Sequence, residues 1–288
     1  MIPFALAAQI FVGANACVPC HSKIVELQTK TPHAGALRPA TDGRVKADWA
    51  FGAGSQAVTY VSRLDEDTYL EHPLSYYARL QGLAPTPGHK PGSKGERYRT
   101  FAPDAAILRC FQCHSTGALA IDARRSIRPA ELGVRCESCH GAGSEHARQP
   151  SKANIGKAEN CATCHRMPPA KGVATNWHNP WNVRHQPVYL SQSRCFLESA
   201  GKLRCVTCHD PHSAEPVNAT ARCLSCHAKP HVTESCAGCH MPVVELEPGL
   251  RFSNHWIGVY QMPLSPGNRL RPLPQRPRGG GTAALIQK

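Results

Sequence analysis

A mainly α chain with very high loop content, forming one continuous domain that carries a small β-hairpin insert, is the fold that the sequence predicts. Three observations predict it. The 288 residues include 15 Cys and 16 His but only 18 aromatic side chains, too thin an apolar inventory for side chains alone to fill the interior. Fourteen of the cysteines fall into repeated copies of one short pattern, and six of the seven copies crowd into residues 110–240, where long helices have no room. Only one long stretch lacks cysteine, and it holds the clearest strand pattern.

The repeated pattern is C-x-x-C-H. It reads Cys17-Val-Pro-Cys20-His21, Cys110-Phe-Gln-Cys113-His114, Cys136-Glu-Ser-Cys139-His140 and Cys161-Ala-Thr-Cys164-His165. Cys205-Val-Thr-Cys208-His209, Cys223-Leu-Ser-Cys226-His227 and Cys236-Ala-Gly-Cys239-His240 complete it, leaving Cys195 alone as a buried, inert thiol. On a helical turn, residues i and i+3 share a face. Two thiols so placed can add to the two vinyl groups on one edge of a porphyrin, while the following His reaches the iron, which makes the pattern the attachment signature of haem c. The x positions need only permit the turn.

Other readings of the cysteines fit less well. Zinc sites need paired C-x-x-C units or added ligands, and no such site requires a His after every second Cys. A thioredoxin-like pair occurs once and not seven times, and a disulfide mesh leaves the seven His unexplained.

Along the chain, apolar residues 1–8, with Ala5-Leu-Ala7 placed like a signal-peptidase site, read as a signal-peptide remnant. Residues 9–262 form the predicted single domain. Ser22–Thr29 reads as a helix. The insert at 41–105 has no motif, and 56–77 gives two strand-like runs around an acidic turn, the β-hairpin, which covers a haem face. From Cys110 to His240 the motifs follow one another too closely for an independent side-chain core, so single helical turns joined by loops should pack with haem as the core. The stretch after Pro187 through Leu197 is a further helix. Residues 263–288, with "PLPQRPRGGG" and four Arg, read as a disordered basic tail.

The formal net charge of +13 would suggest nucleic-acid binding in a chain without cofactors. Seven haems with ionised propionates lower it to roughly +6 oxidised or about −1 reduced, so the basic surplus serves the propionates and nucleic acid is excluded as a partner.

The motifs, together with the phrases "CESCHGAGSEH" at 136–146, "NPWNVRHQPVYL" at 179–190, "CVTCHDPH" at 205–212 and "CAGCHMP" at 236–242, resemble the multihaem c-type cytochromes of bacteria and archaea. The resemblance implies seven haem c groups, held by the fourteen motif cysteines, with His21, His114, His140, His165, His209, His227 and His240 as proximal iron ligands. Nine His are then left for the far faces. His212 follows His209 by three residues and cannot share its haem, so as a ligand it serves a neighbour; His146 after His140 is similar. His231 lies in so short a stretch that haems six and seven almost touch. His33, His89, His146, His185, His212, His231 and His255 are the distal candidates, a choice the family phrases support, and His72 and His178 are reserves. Met167 and Met241 follow their own proximal His too closely to reach the far face.

The implied function is electron transfer through a closely packed row of mostly bis-His haems, in respiration or outside the cell. The implied partners are other cytochromes or a membrane quinol-linked complex, with a homo-oligomer or filament as a possible assembly. Haem attachment of this type places the chain in the periplasm or outside the cell. The alternative is a multihaem reductase acting on a small nitrogen or sulfur compound at one open haem. All seven motifs end in His, however, and the Lys-ending variant of related nitrite reductases is absent.

Overall fold

The structure is a computed structural model that describes residues 10–102, 106–157, 161–166, 179–228, 235–261 and 272–273. His178, His231, the leader at 1–8 and nearly all of the tail at 263–288 lie outside the described residues.

In chain order the elements are α1 (Val18–Thr29), β1 (Leu37–Pro39), β2 (Trp49–Phe51), β3 (Ala57–Arg63), β4 (Thr68–Tyr77), β5 (Gly82–Pro85) and β6 (Glu96–Arg99). There follow α2 (Ala106–His114), β7 (Ser115–Ile121), β8 (Ile127–Leu132), α3 (Cys136–His140), α4 (Ser144–Arg148) and α5 (Cys161–His165). The remainder comprises α6 (Gln186–Leu190), α7 (Arg194–Glu198), α8 (Cys205–Cys208), α9 (Ala219–Leu224), α10 (Cys236–His240), β9 (Val243–Glu247) and β10 (Leu250–Ser253). Two compact units emerge. One comprises Met1–Arg166, Cys205–Asn218 and Glu245–Arg251; the other comprises Met167–Arg204, Ala219–Val244 and Phe252–Lys288.

The first unit is built on a six-stranded antiparallel sheet in the order β1-β2-β3-β4-β5. The long strand β4 carries β6 against its first half and β5 against its second. The predicted hairpin at 56–77 is β3 and β4, the middle of this sheet rather than a small insert. Alternation of side chains divides two cores between its faces. Ala50, Val58 and Tyr60 form one. Leu37, Phe51, Val61 and Tyr69 form the other, together with Ile107 and Phe111 of α2 and Ile127 of β8.

The mainly α expectation is therefore wrong: helix takes 32% and strand 23% of the described residues. The physical reason is that short strands gain stability from neighbours far away in sequence, which no local pattern reports. Several strands here are only three or four residues long. A side-chain core also exists, since sheet and α2 bury aromatic rings together.

Phe111, an x residue of the second motif, is the centre of that core. It is fully buried, and its ring meets Phe51, Trp49 and Tyr69 edge-on at centroid distances of 5.1, 5.7 and 6.1 Å. The motif helix is thus anchored to the sheet through a position that the attachment chemistry leaves open. Among the described residues of the second unit the helices are short: the predicted helix from 188 to 197 is broken into α6 and α7 at residues 191–193, and α9 packs on α10. Phe111→Ala, measured by guanidinium unfolding of the mature protein, is expected to cost about 3–5 kcal/mol.

Candidate functional site

Each motif occupies a short helix or a single turn. The third, fourth and seventh motifs are α3, α5 and α10 entire. The second closes α2, and in the fifth and sixth the His N–H donates back to the first Cys carbonyl at 2.9 Å. All fifteen cysteines are free of disulfides. Burial pushes the Cys17 and Cys110 thiols up to about 11 and Cys164 to about 12, so the thiols are protonated and neutral at physiological pH.

Five-residue helices cannot hold their own orientation, because nucleation costs more than one turn returns. The histidines are instead pinned from outside. His114 Nδ1 donates to Ala36 O at 3.0 Å, His140 Nδ1 to Gly156 O at 3.0 Å and His240 Nδ1 to Gly258 O at 2.8 Å. A carbonyl only accepts, so Nδ1 carries a proton and, in the neutral ring, the lone pair falls to Nε2, the tautomer that a metal-ligating imidazole uses. Gly156 N–H also donates to His140 O (2.9 Å), and Gly258 N–H to His240 O (3.1 Å), which closes each residue into a two-bond clasp. A Cβ on Gly156 would stand 2.6 Å from His140 O, so glycine is what lets that clasp close.

Outside the motifs, His255 Nδ1 donates to Ser253 O at 3.0 Å, while His146 Nδ1 lies 2.9 Å from the Ser151 carbonyl and 3.3 Å from the Ser151 N–H, so Ser151 holds that ring from both sides. Three motif histidines each meet one histidine from elsewhere. His21 and His146 have ring centroids 6.2 Å apart, His140 and His212 6.1 Å, and His165 and His33 6.1 Å, with interplanar angles of 18°, 9° and 88°. An imidazole nitrogen binds a first-row metal at about 2 Å, which puts two rings on opposite sides of one metal about 6 Å apart between centres. Aromatic pairs in general span about 4.5–7 Å, so the spacing gains meaning from who takes part: one motif His and one outside His every time. The donor set fits haem c. It supplies paired thiols on single turns, imidazoles whose Nδ1 meets a backbone carbonyl, and a gap of metal width between facing imidazoles.

The profile of the family described as cytochrome c554 and c-prime matches residues 90–141, which hold the second and third motifs and the β7–β8 hairpin between them. That segment is what the chain shares with the family. No curated protein matches the chain. Among solved structures, the chain resembles the undecahaem cytochrome from the S-layer of Carboxydothermus ferrireducens at 16% identity and a TM-score of 0.48, with 82% of this chain and 45% of that one covered. It also resembles the outer cell wall cytochrome OcwA at 18% identity and a TM-score of 0.40, covering 54% of this chain and 36% of that one. The chain spans less than half the length of either.

His33 is held by its own carbonyl, which accepts from Val134 N at 2.8 Å, and its pKa is lowered by burial and then by His165 and His209. Gly133, at φ +76°, makes this approach possible, since a Cβ there would lie 2.0 Å from Ala34 O. His209 is likewise lowered by burial and by His165. His185 caps α6. His89 Nε2 faces Glu71 Oε2 at 3.2 Å, and His72 Nε2 faces Ser62 Oγ at 2.7 Å, so both direct that nitrogen at side chains.

Motif thiols also meet one another. Cys17 interacts with Cys136, Cys113 with Cys164, and Cys161 with Cys205, which makes the attachment edges of these motifs neighbours in the first unit of the chain. Sequence reasoning missed how they are brought together. Glu137, an x residue of the third motif, is buried and accepts from Val12 N, Gly13 N and Gly143 N at 2.7–3.1 Å, tying the segment before the first motif to the third. Ser138 beside it bonds Thr116 Oγ1 (2.7 Å), which joins the third motif to the strand that leaves the second. Nothing in the local sequence marks either residue, because their partners lie up to 125 residues away. Glu137→Gln replaces an acceptor oxygen with a donor facing backbone N–H groups; a loss of about 2–3 kcal/mol is expected in chemical unfolding of the mature protein.

Proposed function

We propose that this chain is an exported electron carrier with seven haem c groups, one on each C-x-x-C-H motif, most of them closed by a second histidine. When bound, the haems supply one-electron redox chemistry along a closely spaced series. The observation that carries the proposal is the recurrence of the 6.1–6.2 Å His–His spacing at three motifs. In this reading His146 caps the far side at the first motif, His212 at the third and His33 at the fourth. Two imidazoles on one iron leave no position for a substrate, which favours transfer over catalysis at those sites. His185, His231 and His255 are the proposed distal ligands for other motifs, and His255 already holds its Nδ1 proton on Ser253 O. His89 has its Nε2 on Glu71 and is left out of the ligand set.

The chain's own residues set the conditions for transfer. Carbonyls that accept from Nδ1–H strengthen the ligands and so lower the potential of each site. Thiols of the first and third, the second and fourth, and the fourth and fifth motifs meet, so these attachment edges lie side by side. Cytochromes of this kind work with redox partners; here these are proposed to be other cytochromes or a quinol-linked membrane complex, and a homo-oligomer or filament is the proposed assembly. Export follows from covalent haem attachment, which in bacteria takes place outside the cytoplasm. Among the described residues no helix is long and apolar enough to cross a membrane.

Two measurements test the reading. Mass spectrometry of the mature protein is expected to show the polypeptide plus seven haems, and a smaller increment would refute the count. In electron paramagnetic resonance of the oxidised protein, His146→Ala and His212→Ala are each expected to convert one low-spin haem to a high-spin form that binds cyanide. Spectra unchanged by both variants would refute the assignment of distal ligands.

A further inference from the structure

We propose that Glu71, His89 and Glu96 form a binding site for a divalent transition-metal ion, separate from the haem irons. The site lies on the sheet of the first unit, where β4 and β6 pair and where the functional reading above assigns nothing. Glu71 and Glu96 are direct register partners on these antiparallel strands. His89 reaches over them from the loop between β5 and β6, with Nε2 3.2 Å from Glu71 Oε2 and 3.9 Å from Glu96 Oε2. One ligand atom from each residue lies within 4.8 Å of the others. Ligands about 2 Å from a tetrahedral metal are separated by about 3.3 Å, so a small contraction completes three corners.

Charge argues for a cation. Like charges placed directly opposite on paired strands destabilise the pair. Among the described residues no lysine or arginine pairs with either carboxylate; their partners are His89 and the Tyr98 hydroxyl, which donates to Glu71 Oε2 at 3.1 Å. A protonated His89 would leave the trio at about −1, whereas a divalent ion bound by a neutral imidazole and two carboxylates brings it to about zero. The imidazole selects the class of ion. Magnesium and calcium prefer oxygen ligands throughout, while zinc and its first-row neighbours accept a mixed nitrogen and oxygen set.

The loop is shaped to deliver the imidazole. His89 N–H donates to Thr86 O at 2.8 Å, and Gly95 at φ +87° lets the returning chain lie against β4, where a Cβ would stand 2.4 Å from Glu71 O. The His89 side chain is only 9% exposed, so its ring is held and not free to swing into water. Glu71 also acts electrostatically on Cys110, which puts the site beside the attachment edge of the second motif.

The experiment uses the full haem-loaded chain, dialysed against a mild chelator, supplied with one equivalent of zinc and dialysed again. Metal analysis is expected to find one zinc per chain. Glu96→Gln, a change at a half-exposed carboxylate, and Glu71→Gln are each expected to weaken zinc retention at least ten-fold while haem content and the visible spectrum stay as in the parent. No retained zinc in the parent, or retention unchanged in both variants, overturns the proposal. A high-spin haem appearing in His89→Asn also overturns it, because His89 would then belong to an iron. The proposal is independent of the haem count, so a failure of either reading is told apart by zinc analysis on one side and mass on the other.

Discussion

At the second, third and seventh motifs the site depends on one hydrogen bond, repeated: an imidazole Nδ1–H donating to a backbone carbonyl from another segment. It decides at once which nitrogen carries the proton, which way the ring points and which part of the chain must be folded before the ring is in place. His114 needs Ala36, 78 residues back, and His140 and His240 need glycines 16 and 18 residues ahead. Such bonds do what the motif helices cannot, since a single turn has too few internal hydrogen bonds to keep its own direction. In His140 and His240 the glycine returns a bond to the histidine backbone, so ring and main chain are locked as one piece.

The sheet and the motif network are two solutions to one problem, that of holding short segments in register. Around the second motif the solution is apolar, with Phe111 driven into a cluster of aromatic rings. Around the third it is polar, with the Glu137 carboxylate gathering backbone N–H groups from residues 12, 13 and 143. The β7–β8 hairpin connects the two, since β7 begins directly after His114 and β8 ends shortly before Cys136. In both cases the x positions of C-x-x-C-H, free as far as attachment chemistry is concerned, are used to fasten the motif to its surroundings.

Legibility differed from residue to residue for physical reasons. The short separation of His209 and His212 already demanded that His212 face another haem, and its ring stands opposite His140. His89 carried no such constraint. Its surroundings are set by strand pairing, which brings Glu71 and Glu96 to its Nε2. The strands β3 and β4 were readable because they are long and alternate over 56–77. The flanking strands were not, because three or four residues of mixed polarity acquire strand character only from a neighbour. The deficit of aromatic residues misled in the same way: a few rings gathered on one face make a core that an even count over the chain conceals.

By itself the sequence determined the chemistry: covalent haem attachment is written in five consecutive residues, and geometry within one helical turn is local. It also determined that His212 as an iron ligand would serve a motif other than that of His209, since two residues three apart cannot flank the same iron. Only the tertiary structure decided that a sheet, and not helices alone, carries the second motif, that His33, His146 and His212 stand opposite their particular motif histidines, and that Glu137 and Gly133 hold the segments next to His146 and His33. Those outcomes depend on contacts between segments about 20 to 130 residues apart in the chain, whose cost in chain entropy and gain in burial are settled together when the whole chain folds.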